Sequence, residues 1–392
     1  MTGSTPAPVS ASGGAPRLFA TVPPPERAAG TGLPGGDYRA VVRRAARLAE
    51  QAGYEGALVY SDNNTVDPWT VAQELLTATE RFAPLVALQP VYAHPYTVAK
   101  TIASLALLHG RRVCLNLVAG GNRADLAALG DTVPHDDRYR RLGEYARTLL
   151  RLLDGGPVHH AGDFYRVDSL TLFPPLPPHL RPELFVSGSS PAGRETGRPL
   201  GAVSVTYPVP GEPLRPDGQR AGEADGRADG QADGQAARRA EGQADGRADG
   251  RADGLALGVR IGVLARETEA QAWQEARRRF PDSRAGRMLQ GLARRRSDSE
   301  WVARLSAAQE FPGGPESPYW MGPFHTYATF CPYLVGERSR VAAELARYLR
   351  EGCRTFILDT ARDDEDYAAV AAVFAEAAAL AGPAGAQGRA TV

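Results

Sequence analysis

The sequence predicts an α/β fold, a single (β/α)8 TIM barrel carrying insertions and a disordered low-complexity segment. Three observations carry that prediction. Eight short apolar runs rich in β-branched residues recur along the chain, each closed by Gly, Pro, Ser or Asn. Most are apolar on both faces, as strands buried between a barrel core and a ring of helices must be. Helical patterns separate most of them, the alternation expected of parallel strands joined by crossovers. A doubly wound open sheet is the architectural alternative.

In order, the strand runs are Arg17 to Val22, Gly56 to Ser61, Pro84 to Gln89, Arg112 to Val118, Glu183 to Ser187, Ala202 to Thr206, Leu257 to Ala265 and Arg354 to Asp359. Apolar residues recur at helical spacing over Asp37 to Ala52, Pro68 to Thr79, Pro95 to His109, Asp137 to Leu153, Glu267 to Arg279, Ser339 to Glu351 and Asp363 to Ala381. Three segments break the alternation. Gly155 to Pro178 reads as a hairpin with a Pro-rich return. Residues 211–254 are a degenerate Ala-Asp-Gly, Gly-Arg and Gly-Gln repeat where the helix after the sixth strand belongs. Lacking large apolar side chains, the repeat has nothing to offset its ordering entropy and is expected to be disordered. Phe280 to Val335 begins Arg-rich and helical and ends in the aromatic stretch SPYWMGPFHTYATFCPYLVG, expected to form a cover over the barrel mouth. The domain therefore runs from 17 to 385, between a disordered leader (1–16) and a disordered tail (386–392).

Composition narrows the function. Basic and acidic residues balance at 45 each, so no net field gathers nucleic acid or an anionic membrane surface. A small-molecule substrate is the expected partner. No apolar run approaches the ~20 residues of a spanning helix, and the small, polar leader lacks the basic start and apolar stretch of a signal peptide. Cys114, Cys331 and Cys353 have neither an even count nor CxxC spacing, which argues against a disulfide framework or a zinc site and fits a cytoplasmic location. No His, Asp and Glu set has metal spacing, so no metal is expected.

In a barrel the chemistry lies at the C-terminal strand ends. After the fifth strand comes Ser187-Gly188-Ser189-Ser190-Pro191, where Ser190 can cap a helix beginning at Pro191. The turn is either a phosphate cradle or an ordinary strand-turn-helix cap. Asn116 is a polar side chain inside an apolar strand and must be hydrogen-bonded, by neighbouring backbone or by a heteroaromatic ring edge. Gly120 and Gly121 permit either a turn or close approach of a flat ligand. His135-Asp136-Asp137-Arg138-Tyr139 opens the next helix, with Tyr139 placed to reach the mouth. His325, in the aromatic stretch, is the candidate proton donor because histidine titrates in the useful range.

Taken together, GYEGALVYSDNNTVDPWTVA (Gly53 to Ala72), RRVCLNLVAGGNRADLAALGDTVPHDDRYRR (Arg111 to Arg141), ELFVSGSSPAG (Glu183 to Gly193), GVRIGVLARETEAQAWQEA (Gly258 to Ala276) and GCRTFILDT (Gly352 to Thr360) resemble the bacterial luciferase-like flavin monooxygenases, nearest their alkanesulfonate monooxygenase branch. NLVAGGN followed by HDDRY is the specific part. The resemblance implies a TIM barrel that takes reduced FMN from a separate NAD(P)H:flavin reductase, reacts it with O2 and oxygenates a small organic substrate, as a homo-oligomer. It also implies that Asn116, His135 and Tyr139 contact the flavin, that the turn Gly188, Ser189 and Ser190 holds its phosphate, and that Arg260 acts on the substrate side. Thr65, Gly262, Ala361 and Asp363 stand where the sulfonate branch has Cys, His, Tyr and His, which points away from sulfonates, and the aromatic stretch with Tyr319, Trp320, Phe324, His325, Tyr327, Phe330 and Tyr333 is expected to cover an apolar or aromatic substrate. Two alternatives use the same barrel: an F420-dependent oxidoreductase that passes hydride without oxygen, and a catalytically silent flavin-binding relative.

Overall fold

A computed structural model describes residues 15–23, 35–187, 190–214, 256–307, 313–314, 316–359 and 361–382 of the chain, with the side chains of 35 and 36 left out. The leader, most of the repeat and the tail lie outside these residues, as do Gly188 and Ser189.

The eight predicted strands are all present: β1 (Arg17–Thr21), β2 (Gly56–Val59), β3 (Ala83–Leu88), β4 (Cys114–Leu117), β5 (Leu184–Ser187), β6 (Val203–Thr206), β7 (Leu257–Arg266) and β8 (Cys353–Leu358). Each pairs in parallel with the next, and β8 pairs with β1, so the sheet closes into a barrel. Phe19, Leu58, Leu85, Phe185, Val205 and Ile357 fill its interior, with Phe19 edge-on to Phe185 at 5.4 Å. Gly56 is required where β2 meets β3, because a Cβ there would lie 2.1 Å from the Ala83 carbonyl oxygen. At the N-terminal face Arg17 ties β1 to Glu55 and Glu183, at 2.5 and 2.7 Å, across the bottom of the barrel.

Helices Gly35–Gln51, Pro68–Ala78, Pro95–His109, His135–Asp154, Glu269–Arg279, Arg338–Arg350 and Asp364–Ala381 form the outer ring within a residue or two of the expected bounds. The insertion after the fourth helical unit is the expected hairpin, Val158–Ala161 against Arg166–Leu170. It is pinned by Glu144, whose carboxylate accepts from the backbone N–H groups of Asp163, Phe164 and Tyr165 and bonds His160 Nε2 at 3.0 Å.

Two expectations need correction. Residues 211–214 were grouped with the repeat, yet Leu214 is buried and its N–H donates to Glu351 Oε2 at 2.8 Å. One apolar side chain docks that end of the segment. The aromatic stretch is also not a single cover. Tyr319–Trp320 pairs antiparallel with Tyr333–Glu337, which in turn adds to the upper half of β7. Trp320 is packed edge-on against Trp273 and Phe280, and Tyr319, Phe324 and Tyr333 are equally buried. These four are core. Tyr327 stays exposed, and Phe330 lies edge-on to Tyr60 at 5.5 Å.

Candidate active site

Five polar side chains gather towards the C-terminal end of the barrel: Thr21 ends β1, Tyr60 and Asp359 directly follow β2 and β8, Arg260 lies within β7, and Tyr333 opens the added strand Tyr333–Glu337. Arg260 of β7 is at their centre with 2% exposure. Its Nη1 donates to the Thr21 hydroxyl at 3.0 Å and its Nη2 to Asp359 Oδ1 at 3.1 Å and to the Tyr60 hydroxyl. The guanidinium also lies over the Tyr60 ring, 5.2 Å from its centre. Tyr333 donates to the other oxygen of Asp359 at 3.1 Å. Burial works against the guanidinium charge, but Tyr60, Cys331 and Asp359 around it raise its pKa above the ordinary arginine value. Burial pushes the Tyr60 hydroxyl and the Cys331 thiol well up, so both are neutral. The cluster is thus one cation balanced by one carboxylate. Arg260 Nε is buried with no partner among the described residues.

A second group lies at the ends of β4 and β5. Asn116, 4% exposed, accepts from the Ser187 hydroxyl at 2.9 Å, so its partner is a side chain on the neighbouring strand. Ser190 caps the short helix Pro191–Gly197 as expected, accepting from Gly193 N–H at 3.1 Å. Burial raises the pKa of the Tyr139 hydroxyl, against a smaller opposing influence of Ser190 beside it. His135 packs edge-on to Tyr139 at 5.3 Å, with Nδ1 on Asp136 at 2.9 Å. Together Val118, Gly120, His135, Tyr139, Ser187 and Ser190 line one wall of a cleft.

The opposite wall is formed by residues that the sequence reading left unassigned. Ser299, Glu300 and Trp301 complete the cleft, narrowing it to about 50 Å³. Asp298 N–H donates to the Gly121 carbonyl at 2.9 Å, and its carboxylate takes Arg138 at 2.8 Å and Arg123 at 3.3 Å. Ser299 packs so closely on Gly121 that a Cβ there would sit 2.1 Å from its hydroxyl. Gly121 thus admits a neighbouring chain segment and not a flat ligand. Trp301 stacks on Tyr207 at 4.2 Å and 12°, laying the segment across the mouth. The one available signal was a tryptophan in SDSEW, directly after an Arg-rich helix.

Of the expected site residues, Asn116, His135, Tyr139 and Ser190 converge at these strand ends and Arg260 lies in the adjoining polar cluster. His325 does not line the cleft. It ends a single helical turn, Gly322–His325, with its ring edge-on to Phe324 at 5.7 Å. Burial lowers its pKa, and Nε2 has no partner among the described residues. Tyr60, Asp359 and Tyr333 were missed; the first two are polar residues directly after apolar runs. Among the described residues no His, Cys, Asp and Glu group could hold a metal ion, and no helix is long and apolar enough to cross a membrane.

Comparisons with known proteins bear on the family and the fold. The family model for luciferase-like monooxygenases matches residues 19–355. The chain is 32% identical over 327 residues to 4-(gamma-L-glutamylamino)butanoyl-[BtrI acyl-carrier protein] monooxygenase BtrO of Niallia circulans, covering 82% of this chain and 86% of that one. Among solved structures, the FMN complex of the oxygenating constituent of 3,6-diketocamphane monooxygenase from Pseudomonas putida superposes with a TM-score of 0.61 at 17% identity, covering 93% of this chain and 98% of that one. An F420-dependent secondary alcohol dehydrogenase has the same fold, with a TM-score of 0.56 at 14% identity over 93% of this chain and 99% of its own. These relatives show the luciferase-like family and do not distinguish its alkanesulfonate branch. With a closed eight-stranded barrel, a tyrosine and a capping serine meeting at its strand ends and a family match over most of its length, the chain belongs to the luciferase-like monooxygenases.

Proposed function

We propose that this chain is the oxygenase of a two-component flavin-dependent monooxygenase, taking reduced FMN from a separate NAD(P)H:flavin reductase and O2 from solution. The observation that carries the reading is that Tyr139 and the Ser190 cap line one cleft at the ends of β4 and β5. The donor chemistry there fits FMN. Ser190 and the first N–H groups of its helix, with Ser189 and Gly188 of the same turn, would hold the phosphate, and His135, Tyr139 and Asn116 would face the remainder. Bound FMN supplies the oxygen-activating chemistry. The chain's own residues bind it and orient it at the strand ends. Volume is the condition on this fit, since small-molecule pockets run to roughly 300 Å³ and above, so residues 299–301 must withdraw to admit the cofactor.

We further propose that the substrate is an acyl chain presented on a carrier protein, the class that BtrO's name records for that relative. The Arg260 cluster supports a neutral substrate end. Its charge is already balanced by Asp359, which leaves no free cation for an anionic head group, while Nε remains a donor for an acyl carbonyl. Neither Arg260 nor His325 lines the cleft, and Arg260, bonded to the strand-end residues Thr21, Tyr60 and Asp359, has the stronger claim to a catalytic role.

The test is a titration of FMN and reduced FMN into the purified chain, with oxygen uptake followed in the presence of a flavin reductase. Ser190→Asp keeps a good helix cap but places a negative charge against the phosphate. It is expected to weaken FMN binding by about tenfold or more. Unchanged affinity removes the assignment, and reduction by F420 without oxygen uptake moves the protein to the hydride-transfer alternative.

A further inference from the structure

We propose that the helix Arg284–Arg296 is the docking surface for an acidic carrier protein bearing the substrate, an inference that rests on the carrier-bound reading above. Surface helices of globular proteins turn their apolar stripe inward. Here Ala285, Met288, Leu289 and Leu292, spaced at i, i+3, i+4 and i+7, are all exposed, Met288 by 65% and Leu289 by 51%. The helix is seated instead by Gly286, its single buried residue, where a Cβ would lie 2.0 Å from the Thr326 carbonyl oxygen. An uncovered two-turn apolar stripe is the mark of an interaction face.

Charge identifies the occupant. The chain as a whole is neutral, yet the helix Arg284–Arg296 carries five arginines and no acidic residue. By the helical period Arg284 and Arg295 lie along one flank of the stripe, and neither has a carboxylate partner among the described residues. A basic rim around an apolar strip complements an acidic helical protein with apolar residues of its own. A second copy is disfavoured, because two-fold pairing would set these arginines against one another.

Position links the surface to the site. The helix runs directly into the segment that closes the cofactor cleft. Arg294 and Ser297 border a hollow of about 280 Å³ with Val302, Ala303 and Ala307, and Ser299 to Trp301 border the cleft itself. A carrier seated on the stripe therefore brings its prosthetic arm to the C-terminal end of the helix, where the chain turns into the cleft wall.

The experiment measures binding of a type II acyl carrier protein, loaded with phosphopantetheine and a butanoyl group, to the full chain by fluorescence anisotropy. Two exposed double variants, Arg284→Glu with Arg295→Glu and Met288→Ser with Leu292→Ser, are compared with wild type, and FMN affinity is read on the same samples. Wild type is expected to bind with micromolar affinity, and each variant about tenfold more weakly. Raising salt to roughly 0.3 M should weaken wild type more than the glutamate variant. No binding by wild type, or equal binding by the variants, overturns the proposal. So does a variant that loses phosphatidylglycerol vesicle binding or self-association while carrier binding persists. Failed FMN binding with carrier binding intact would instead sink the flavin reading alone.

Discussion

Arg260 holds a full charge in the most crowded part of the barrel mouth, and its neighbours make that tolerable. Asp359 is the one that matters most. Thr21 and Tyr60 offer neutral oxygens, whereas Asp359 supplies the balancing charge and is itself held by Tyr333. Removing one member of a buried ion pair costs more than the pair contributes, because the survivor stays desolvated and uncompensated. Asp359→Asn is therefore expected to destabilise the fold by about 3–5 kcal/mol in urea denaturation. Tyr333→Phe, which loses one hydrogen bond to a carboxylate, should cost roughly 1.5–3 kcal/mol. A neutral Asp359→Asn would mean that Arg260 is solvated in solution and open to an anionic substrate after all.

At the scale of elements, the barrel mouth is governed by the stretch 297–301, held by few and mostly polar contacts. Asp298 bridges to Arg138 and Arg123, Ser299 leans on Gly121, and Trp301 lies flat on Tyr207. Glu300 sits in the same cleft as Ser190, so its carboxylate opposes any phosphate bound there. Segments anchored this way open at low free-energy cost, which suits a wall that must move for a cofactor to enter. Glu300→Gln removes the opposing charge and Trp301→Ala removes the stacked ring. Both are expected to raise FMN affinity several-fold and to speed association in stopped-flow fluorescence. If either weakens FMN binding, these side chains contact the cofactor and the stretch is part of its cradle.

For the molecule as a whole, the barrel was legible because closure requires strands that are apolar on both faces, and most strands from Arg17–Thr21 to Cys353–Leu358 keep that pattern. The Ser190 cap was legible for a local reason, a serine directly before proline at a strand end. What could not be read were contacts between segments far apart in sequence. Asn116 finds Ser187, 71 residues on, and Arg260 finds Thr21 at a separation of 239. Trp320 carries the same aromatic signal whether it covers a site or fills a core, and only the pairing of Tyr319–Trp320 with Tyr333–Glu337 decides for the core. The repeat poses the remaining question of the whole chain. β6 pairs directly with β7, and Ser204 N–H donates to the Ala256 carbonyl at 2.8 Å, so described residues by themselves close the barrel between these strands. On the N-terminal side the chain is anchored as far as Leu214 by its buried side chain and its bond to Glu351. Excising residues 215–254 for a short Gly/Ser linker, with Leu214 kept, is therefore expected to leave the melting temperature within a few degrees. Extending the cut through Leu214 should lower it, because a buried leucine contributes roughly 2 kcal/mol or more. Melting curves of the two deletions decide the matter, and a large drop in the shorter one would show that the repeat supplies the barrel's sixth helix.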